Sequence, residues 1–416
     1  MTTSKDVKVP RLRFKEFSGE WEEKKLGNLC ETITKGTTPH KNNYPKEVHF
    51  IQVNDINKYN GNIKHQHYIS LSEHLNYLKR SILKKGDILF SIAGSLGVVS
   101  VVKNKDLPAN TNQALAILRL KKFHSVFFID NLLKSEIVNK YIYDNPTVGA
   151  QPNLSLSQLY NFKLKLCCNS EQEKIGNFFT KLDRLIELQT KKVEQLKQLK
   201  RGYLQKMFPQ KGETVPRLRF AGFIGEWEEK QMSSIFNSFS GLSGKTKSDF
   251  GHGLAQYVTY VNVHDNEVVD INNLGRIEVD NNQSSLKFGD VLFTLSSETS
   301  NEIGLSSVWN YNIKNVYLNS FTFGIRPIVK MNNYFNTYSF RNPSFRKMIY
   351  PLAQGISRYN LSRSNFMKLY ISFPSLNEQK KIGNFFAYLD KKIELQETKL
   401  SQLKDMKKGY LQKMFC

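Results

Sequence analysis

The sequence predicts an α/β protein made of two tandem copies of one unit, each a globular domain of mixed strands and helices followed by a long helix. Three repeats carry this reading. "VPRLRFKEFSGEWEEK" starts at Val9 and returns as "VPRLRFAGFIGEWEEK" at Val215. "EQEKIGNFFTKLDRLIELQ" from Glu171 returns as "EQKKIGNFFAYLDKKIELQ" from Glu378, and "GYLQKMF" is identical at Gly202 and Gly409. All come back at nearly the same distance along the chain, the mark of a duplicated unit. Fainter echoes lie between them: "KGDILFSI" at Lys85 answers "FGDVLFTL" at Phe288, and "NLSLSQL" at Asn153 answers "NLSRSNF" at Asn360.

Taken in order, residues 1–168 form the first globular domain and 169–208 the first long helix. Residues 209–215 are a linker, 216–375 the second globular domain and 376–416 the second long helix. The globular parts mix alternating or β-branched runs such as "DILFSI", "GVVSVV" and "QYVTYVNV" with helical stretches such as "FIDNLLKSEIVNKYI", the pattern of strands and helices sharing a core. The linker "PQKGETVP" has proline at both ends and polar residues between.

In the first long helix Ile175, Phe179, Leu182, Ile186, Val193, Leu196, Tyr203 and Met207 follow steps of three and four, with Gln189 as the polar residue on the seam. Ile382, Phe386, Leu389, Ile393, Leu400, Leu403, Met406 and Tyr410 repeat the stripe. Neither helix contains an internal proline, and Pro209 stops the first. A seam this narrow requires a partner helix, and the near-identical helix of the same chain supplies one. The expected frame is an antiparallel coiled-coil pair that separates two domains related by a pseudo-twofold repeat.

Lysine and arginine number 60 against 37 aspartate and glutamate, a net charge of +23 over 416 residues. The excess is spread over both halves and points to a polyanionic partner, nucleic acid or an anionic membrane surface. No apolar run reaches the length of a membrane span, and "MTTSKDVKVPRLRF" has no signal-peptide apolar core, so the expected location is the cytoplasm, with no membrane partner. Cys30, Cys167, Cys168 and Cys416 lack metal-ligand spacing and read as buried thiols.

An antiparallel pair of near-identical helices has an approximate twofold axis, so its two domains face a common partner in opposite orientations. Duplex DNA has that symmetry. Its half-sites lie ~34–36 Å apart per turn, and a helix of roughly 38 residues spans roughly 57 Å, long enough to hold one reader on each. Because the two domains differ in sequence, the target is expected to be two unlike words separated by an unread gap.

This order of domain, "KIGNFF" helix, domain, "KIGNFF" helix resembles the specificity subunit of type I restriction-modification enzymes. The resemblance covers the whole chain and is carried further by "TKGTTPHKNNY", "TNQALAILR", "GAQPNLSLSQL", "GLSGKTKSDFG" and "GISRYNLSRSNF". It implies that each globular domain is a target-recognition domain and that the helices space them on double-stranded DNA. It also implies docking of two methyltransferase subunits, with translocase-nuclease subunits joining outside. Adenine methylation and restriction would then be the work of those partners. The chain itself would have no catalytic residue and no cofactor; S-adenosylmethionine, ATP and Mg are expected in the partner subunits.

Base reading needs Arg, Lys, Asn, Gln, Ser or Thr on loops or helix ends that reach a groove. In the first domain "TKGTTPHKNNY" offers Lys35, Thr37, Thr38, His40, Lys41, Asn42 and Asn43; in the second "GLSGKTKSDFG" offers Ser243, Lys245, Thr246 and Lys247. A solvated surface turn is the plain alternative for such loops. Asn112 and Gln113, with Asn319 and Ser320 at the matching place, either contact DNA or orient neighbouring loops by hydrogen bonding. Ser155 precedes Gln158 by three and reads as a helix cap, which leaves Gln151 and Asn153 as candidates beside it. Arg358, Tyr359 and Asn360 occupy the matching place in the second copy, and Arg358 is the residue most suited to a guanine or a phosphate. For helix pairing or subunit docking the candidates are Ile175, Phe178, Phe179, Leu182 and Ile186, with Ile382, Phe385, Phe386, Leu389 and Ile393.

Motifs that would make the chain an enzyme are incomplete. "GKT" at Gly244 lacks the first glycine of a phosphate-binding loop, since Phe239 stands there. "DNPT" at Asp144 lacks the second proline of an adenine methyltransferase motif, and the Glu22–Lys24 string is shared with its copy at Glu228. His65 and His67 are a close pair without carboxylates at metal-ligand spacing. The competing readings are a stand-alone DNA nuclease or modification enzyme with a cryptic site, and a coiled-coil scaffold with a basic surface. An adjacent methyltransferase gene separates the first reading from both.

Overall fold

The computed structural model describes residues 8–40, 46–144, 153–355 and 358–416. The chain divides into two compact units, and the division crosses both long helices: unit 1 is Met1–Lys191 with Thr398–Cys416, and unit 2 is Lys192–Glu397.

Unit 1 begins with β1 (Glu22–Lys25), α1 (Leu26–Leu29), β2 (Cys30–Lys35), β3 (Val48–Ile51), β4 (Tyr68–Ile69) and α2 (Leu71–Leu75). It continues through β5 (Ile88–Ser91), β6 (Val99–Val101), β7 (Ala109–Thr111), β8 (Leu115–Leu120), α3 (Val126–Leu133), α4 (Glu136–Asp144), α5 (Leu156–Tyr160) and β9 (Lys163–Leu166) into the long helix α6 (Asn169–Lys206). Its main sheet is antiparallel in the order β2-β8-β5-β6; β4-β3-β7 and β1-β9 form smaller ones. The two-residue period of the strands decides the core. Ile88, Phe90, Ala116 and Leu118 face one apolar cluster with α3, while Leu89, Leu115 and Ile117 face a second. A sheet buried on both faces explains why "ILF" in β5 has no polar residue among its three positions.

Unit 2 repeats the plan with β10 (Glu228–Gln231), α7 (Met232–Ile235), β11 (Phe236–Ser240), β12 (Phe250–Val258), α8 (Tyr260–Asp265) and β13 (Leu274–Ile277). Then follow β14 (Val291–Thr294), β15 (Ser296–Ser297), β16 (Ser306–Val308), β17 (Val316–Leu318), β18 (Thr322–Pro327), α9 (Asn333–Ser339) and α10 (Pro343–Ile349). The unit closes with β19 (Ala353–Gln354), β20 (Tyr359–Leu361), α11 (Arg363–Met367), β21 (Tyr370–Phe373) and the long helix α12 (Leu376–Lys413). The sheet β11-β18-β14-β16 matches the main sheet of unit 1; β13-β12-β17 and β10-β21 match its smaller ones, and β15-β20-β19 is a further short ribbon.

The repeated segments meet inside each unit. Arg13 donates from Nε and Nη2 to the two carboxylate oxygens of Glu171 at 2.8 and 2.7 Å, and from Nη1 to the Gly19 carbonyl at 2.6 Å. Arg219 does the same to Glu378, at 2.7 Å for both bonds, and to the Gly225 carbonyl at 2.5 Å. Such a fork fixes the leading segment onto the first turn of the helix, where a carboxylate also suits the helix dipole. The same segment closes a helix end: Leu12 N–H donates to the Lys413 carbonyl and Leu218 N–H to the Lys206 carbonyl, both at 2.9 Å.

Within each unit the two helix segments run antiparallel. In unit 1 Phe178 meets Tyr410 edge-on at 5.0 Å, and one turn on Lys407 Nζ donates to Asp183 at 2.6 Å. In unit 2 Phe385 meets Tyr203 at 5.1 Å and Lys200 pairs with Asp390 at 2.6 Å. Phe179 and Phe386 are fully buried, Ile186 only half. The "GYLQKMF" ends pack into the unit built around the other copy. Phe415 stacks on Phe179 and meets Phe128 at a tilt beside Trp21, and Phe208 stacks on Phe386 and meets Phe335 at a tilt beside Trp227.

Cys30 and Cys167 are buried as expected, but Cys168 is exposed and Cys416 half-buried. Burial pushes the Cys30 thiol up to about 12 and raises Cys167 as well. Since the thiolate is the nucleophile, iodoacetamide at about pH 8 should label Cys168 first and leave Cys30 and Cys167 unmodified until the unit opens. Peptide mass mapping over time checks this, and early labelling of Cys30 would contradict it.

Candidate nucleic-acid interface

In each unit a glycine after the first strand of the main sheet lets one polar loop press against another. A Cβ on Gly36 would lie 2.0 Å from the Thr111 carbonyl oxygen, and one on Gly241 1.9 Å from that of Asn319, so only glycine fits either place. The approach is closed by Thr37 N–H to the Thr111 carbonyl at 3.0 Å in unit 1 and by Leu242 N–H to the Leu318 carbonyl at 2.7 Å in unit 2.

In unit 1 this places Lys35, Thr37 and Thr38 beside Asn112 and Gln113. Thr38 Oγ1 donates to Gln113 Oε1. Asn112 Oδ1 accepts from Ala114 N–H at 3.2 Å, so its carbonyl oxygen shapes the loop, as one of the two sequence readings holds. The Ala114 carbonyl accepts from Ile92 N–H, and the Ile92 carbonyl from Leu154 N–H, each at 2.8 Å, which draws Asn153 onto the same edge through its bridge to Ala93. His40 lies with its ring 3.8 Å from that of Tyr77, and its N–H donates to Glu73. Ser155 is a helix cap: its hydroxyl accepts from Gln158 N–H at 3.1 Å and Gln158 returns the bond at 2.9 Å. Lys41, Asn42, Asn43 and Gln151 lie outside the described residues.

In unit 2 the matching edge collects Ser240 to Ser243, Asn319 to Phe321, and Arg358 to Asn360. Asn319 Oδ1 accepts from Phe321 N–H at 2.8 Å, the same turn as Asn112, and leaves Ser320 exposed at the tip. The Arg358 guanidinium lies 5.6 Å from the Phe321 ring centre, and Tyr359 and Asn360 pair with Ser297 and Ser296 in the ribbon β15-β20-β19. Two neighbours of Ser243 are already engaged. Lys245 donates to Asp280 at 2.7 Å, which raises the ammonium's pKa and lowers the carboxylate's. Thr246 caps a short 3-10 turn, its hydroxyl donating to Asp249 at 2.8 Å. Lys247 is exposed.

One cation on this edge escaped the sequence reading. Arg363 Nη1 donates to Ser240 Oγ at 2.5 Å, tying α11 to the end of β11. The signal was present in "NLSRSNF", where the first copy has leucine at Leu156. The histidine pair also finds carboxylates, but two different ones: His65 Nε2 is 3.0 Å from Asp106 and His67 Nδ1 3.1 Å from Asp55. Among the described residues no group of three potential ligands could hold a metal ion, and no helix is long and apolar enough to cross a membrane.

Glycine-supported polar edges recur on two domains of different loop sequence, the arrangement of a modular protein built from two copies of one unit. The chain belongs to the type I restriction modification DNA specificity domain family, whose model matches residues 18–198 and 224–405. It is 25% identical over 240 residues to the EcoBI type I restriction enzyme specificity subunit of Escherichia coli, a match covering 55% of this chain and 48% of that one. It is 23% identical over 425 residues to a Methanocaldococcus jannaschii protein named as the MjaX specificity subunit, covering 97% and 95%. The chain thus spans about half the length of the first relative and nearly all of the second. Among solved structures, the type I restriction-modification S subunit from M. genitalium shares the fold with a TM-score of 0.57 at 17% identity, over 98% of this chain and 99% of that one. A chain from a structure of type I complex assembly and conformational transition does so with a TM-score of 0.59 at 16%, over 94% and 96%.

Proposed function

We propose that this chain reads an asymmetric two-part DNA sequence, one part by each domain, and delivers that site to separate catalytic subunits. The observation that carries the reading is the same glycine-closed polar edge, built once in each unit from loops of different sequence. Thr37, Thr38, Gln113 and Asn153 would serve one part; Ser243, Lys247, Ser320, Arg358 and Asn360 the other. Two methyltransferase subunits would supply S-adenosylmethionine and methylate adenine in both parts. Translocase-nuclease subunits would bring ATP and Mg for restriction, and this chain would catalyse neither reaction in the cytoplasm where they act.

The test is to map N6-methyladenine in cells with and without the gene. One split motif should lose methylation on deletion and regain it on complementation; unchanged methylation, with the partner genes expressed, would refute the reading. A finer expectation concerns Arg358, an exposed cation of the second edge. Arg358→Ala should weaken binding to the cognate duplex by about 1–3 kcal/mol if it reads guanine, and flatten discrimination at one position. If it holds a phosphate, binding should fall about uniformly and the salt slope should drop by about one. Fluorescence anisotropy over a series of single-base variants at several salt concentrations distinguishes these outcomes from no effect.

A further inference from the structure

In each unit the turn that follows an inner strand of the main sheet ends on the polar edge, and the two copies differ there in charge. In unit 1 the turn after β5 is residues 92–96 and carries no charged residue. In unit 2 the turn after β14 is longer, residues 295–303, and carries Glu298 and Glu302. Equivalent bonds close both: the Ser91 hydroxyl accepts from Val98 N–H at 2.7 Å, and the Thr294 hydroxyl from Leu305 N–H at 3.0 Å. Leu295 N–H donates to the Phe321 carbonyl at 2.9 Å, and the Leu295 carbonyl accepts from Leu361 N–H at 2.8 Å. The longer turn therefore starts between the two segments that carry Ser320 and Arg358.

One of the two carboxylates is already engaged. Glu302 accepts from the Ser297 hydroxyl at 3.2 Å and lies 3.7 Å from His264 Nε2. Glu298 is exposed, and among the described residues it has no hydrogen bond or ion pair. It flanks the residue pair Ser297 and Tyr359 of the ribbon on one strand, and Arg358 flanks that pair on the other. Opposite charges facing each other across two strands ordinarily pair; here the guanidinium lies over the Phe321 ring instead. Both charges act on Tyr260, whose hydroxyl donates to the Ser296 carbonyl at 2.6 Å. Burial pushes the Tyr260 hydroxyl up, the Glu302 and Glu298 carboxylates push it further, and the Arg358 guanidinium opposes them.

A free carboxylate on an edge that meets DNA opposes binding, since it repels the phosphates that a chain of net charge +23 otherwise attracts. A base edge is where a carboxylate gains. In the major groove cytosine presents the N4 amino donor, which suits Glu, and guanine presents the N7 and O6 acceptors, which suit Arg. The two bases face each other in one pair. An Arg and a Glu set side by side and left unpaired match that pair, whereas an ion pair between them would occupy the groups that read it. We propose that Glu298 is a specificity-determining residue that accepts from cytosine N4 in the major groove, beside Arg358 at the guanine of the same pair. Resting on the function proposed above, this assigns one G·C pair to the part of the target read by unit 2.

The test uses the full chain reconstituted with the methyltransferase subunit encoded beside it. Fluorescence anisotropy compares the duplex identified by methylation mapping with its single-pair variants. Glu298→Ala should lose at least about fivefold in affinity for the cognate duplex, together with the preference at one G·C pair. The same variant should bind unrelated duplexes more tightly, because a repelling charge is gone. Glu298→Gln should shift the preference at that pair toward adenine, which offers an amide both a donor and an acceptor. N4-methylcytosine at that position, with a methyl group where the amino hydrogen was, should weaken the unaltered chain as Glu298→Ala does and cost the variant nothing further. Tighter binding of Glu298→Ala to every duplex, with all base preferences kept, would overturn the proposal and leave the proposed function standing. A lost preference confined to A·T pairs would also overturn it. The absence of any base preference in the unaltered chain would overturn both.

Discussion

Arg219→Ala is expected to lower the stability of unit 2 by about 3–5 kcal/mol, the cost of leaving a buried carboxylate without its counter-charge. The Glu378 side chain is 1% exposed, and its two oxygens are both held by the Arg219 fork at 2.7 Å. Truncating the arginine removes those bonds and the one to the Gly225 carbonyl, and water cannot easily replace them there. For a unit of this size such a loss moves the melting transition by roughly 6–20 °C. Arg219→Lys keeps the charge but not the fork, so it should recover only part of the difference. Arg13→Ala should do the same to unit 1, whose Glu171 side chain is 0% exposed. Differential scanning calorimetry checks both, and a change below about 1 kcal/mol, the size of an exposed pair, would show that the fork does not hold the leading segment in place.

The duplicated plan, the helices and the Ser155 cap were legible because each rests on local pattern: an internal repeat, a three-four stripe, a serine three residues before glutamine. The structure starts α6 at Asn169 and α12 at Leu376, close to the spans read from periodicity. What stayed hidden depends on pairs far apart in the chain. Arg13 and Glu171 are separated by 158 positions; both belong to repeated segments, so the repeat marked each as important without linking them. Phe208 and Phe415 lie beyond the apolar stripe, and no periodicity could reveal that each packs into the unit built around the other copy. In the candidate interface the loops were found by composition, but composition cannot see that Asp280 already holds Lys245 or that Asp249 already holds Thr246.

The largest functional effect is expected from exchanging residues 216–375 for the corresponding domain of another family member with a different target. The shared frame explains why the exchange should be tolerated. The contacts that seat the second domain, Arg219 with Glu378 and Phe208 with Trp227, Phe335 and Phe386, use residue types repeated in the first copy, whereas the edge at Ser243, Ser320 and Arg358 does not match its counterpart. The exchange therefore keeps the frame and replaces the reader. Mapping N6-methyladenine in cells that carry the exchanged chain tests the central claim most directly. Two independent readers predict a new motif in which one part and the spacing are retained and the other part is replaced by the donor's. A motif changed in both parts, or one left unchanged in both, would contradict that account.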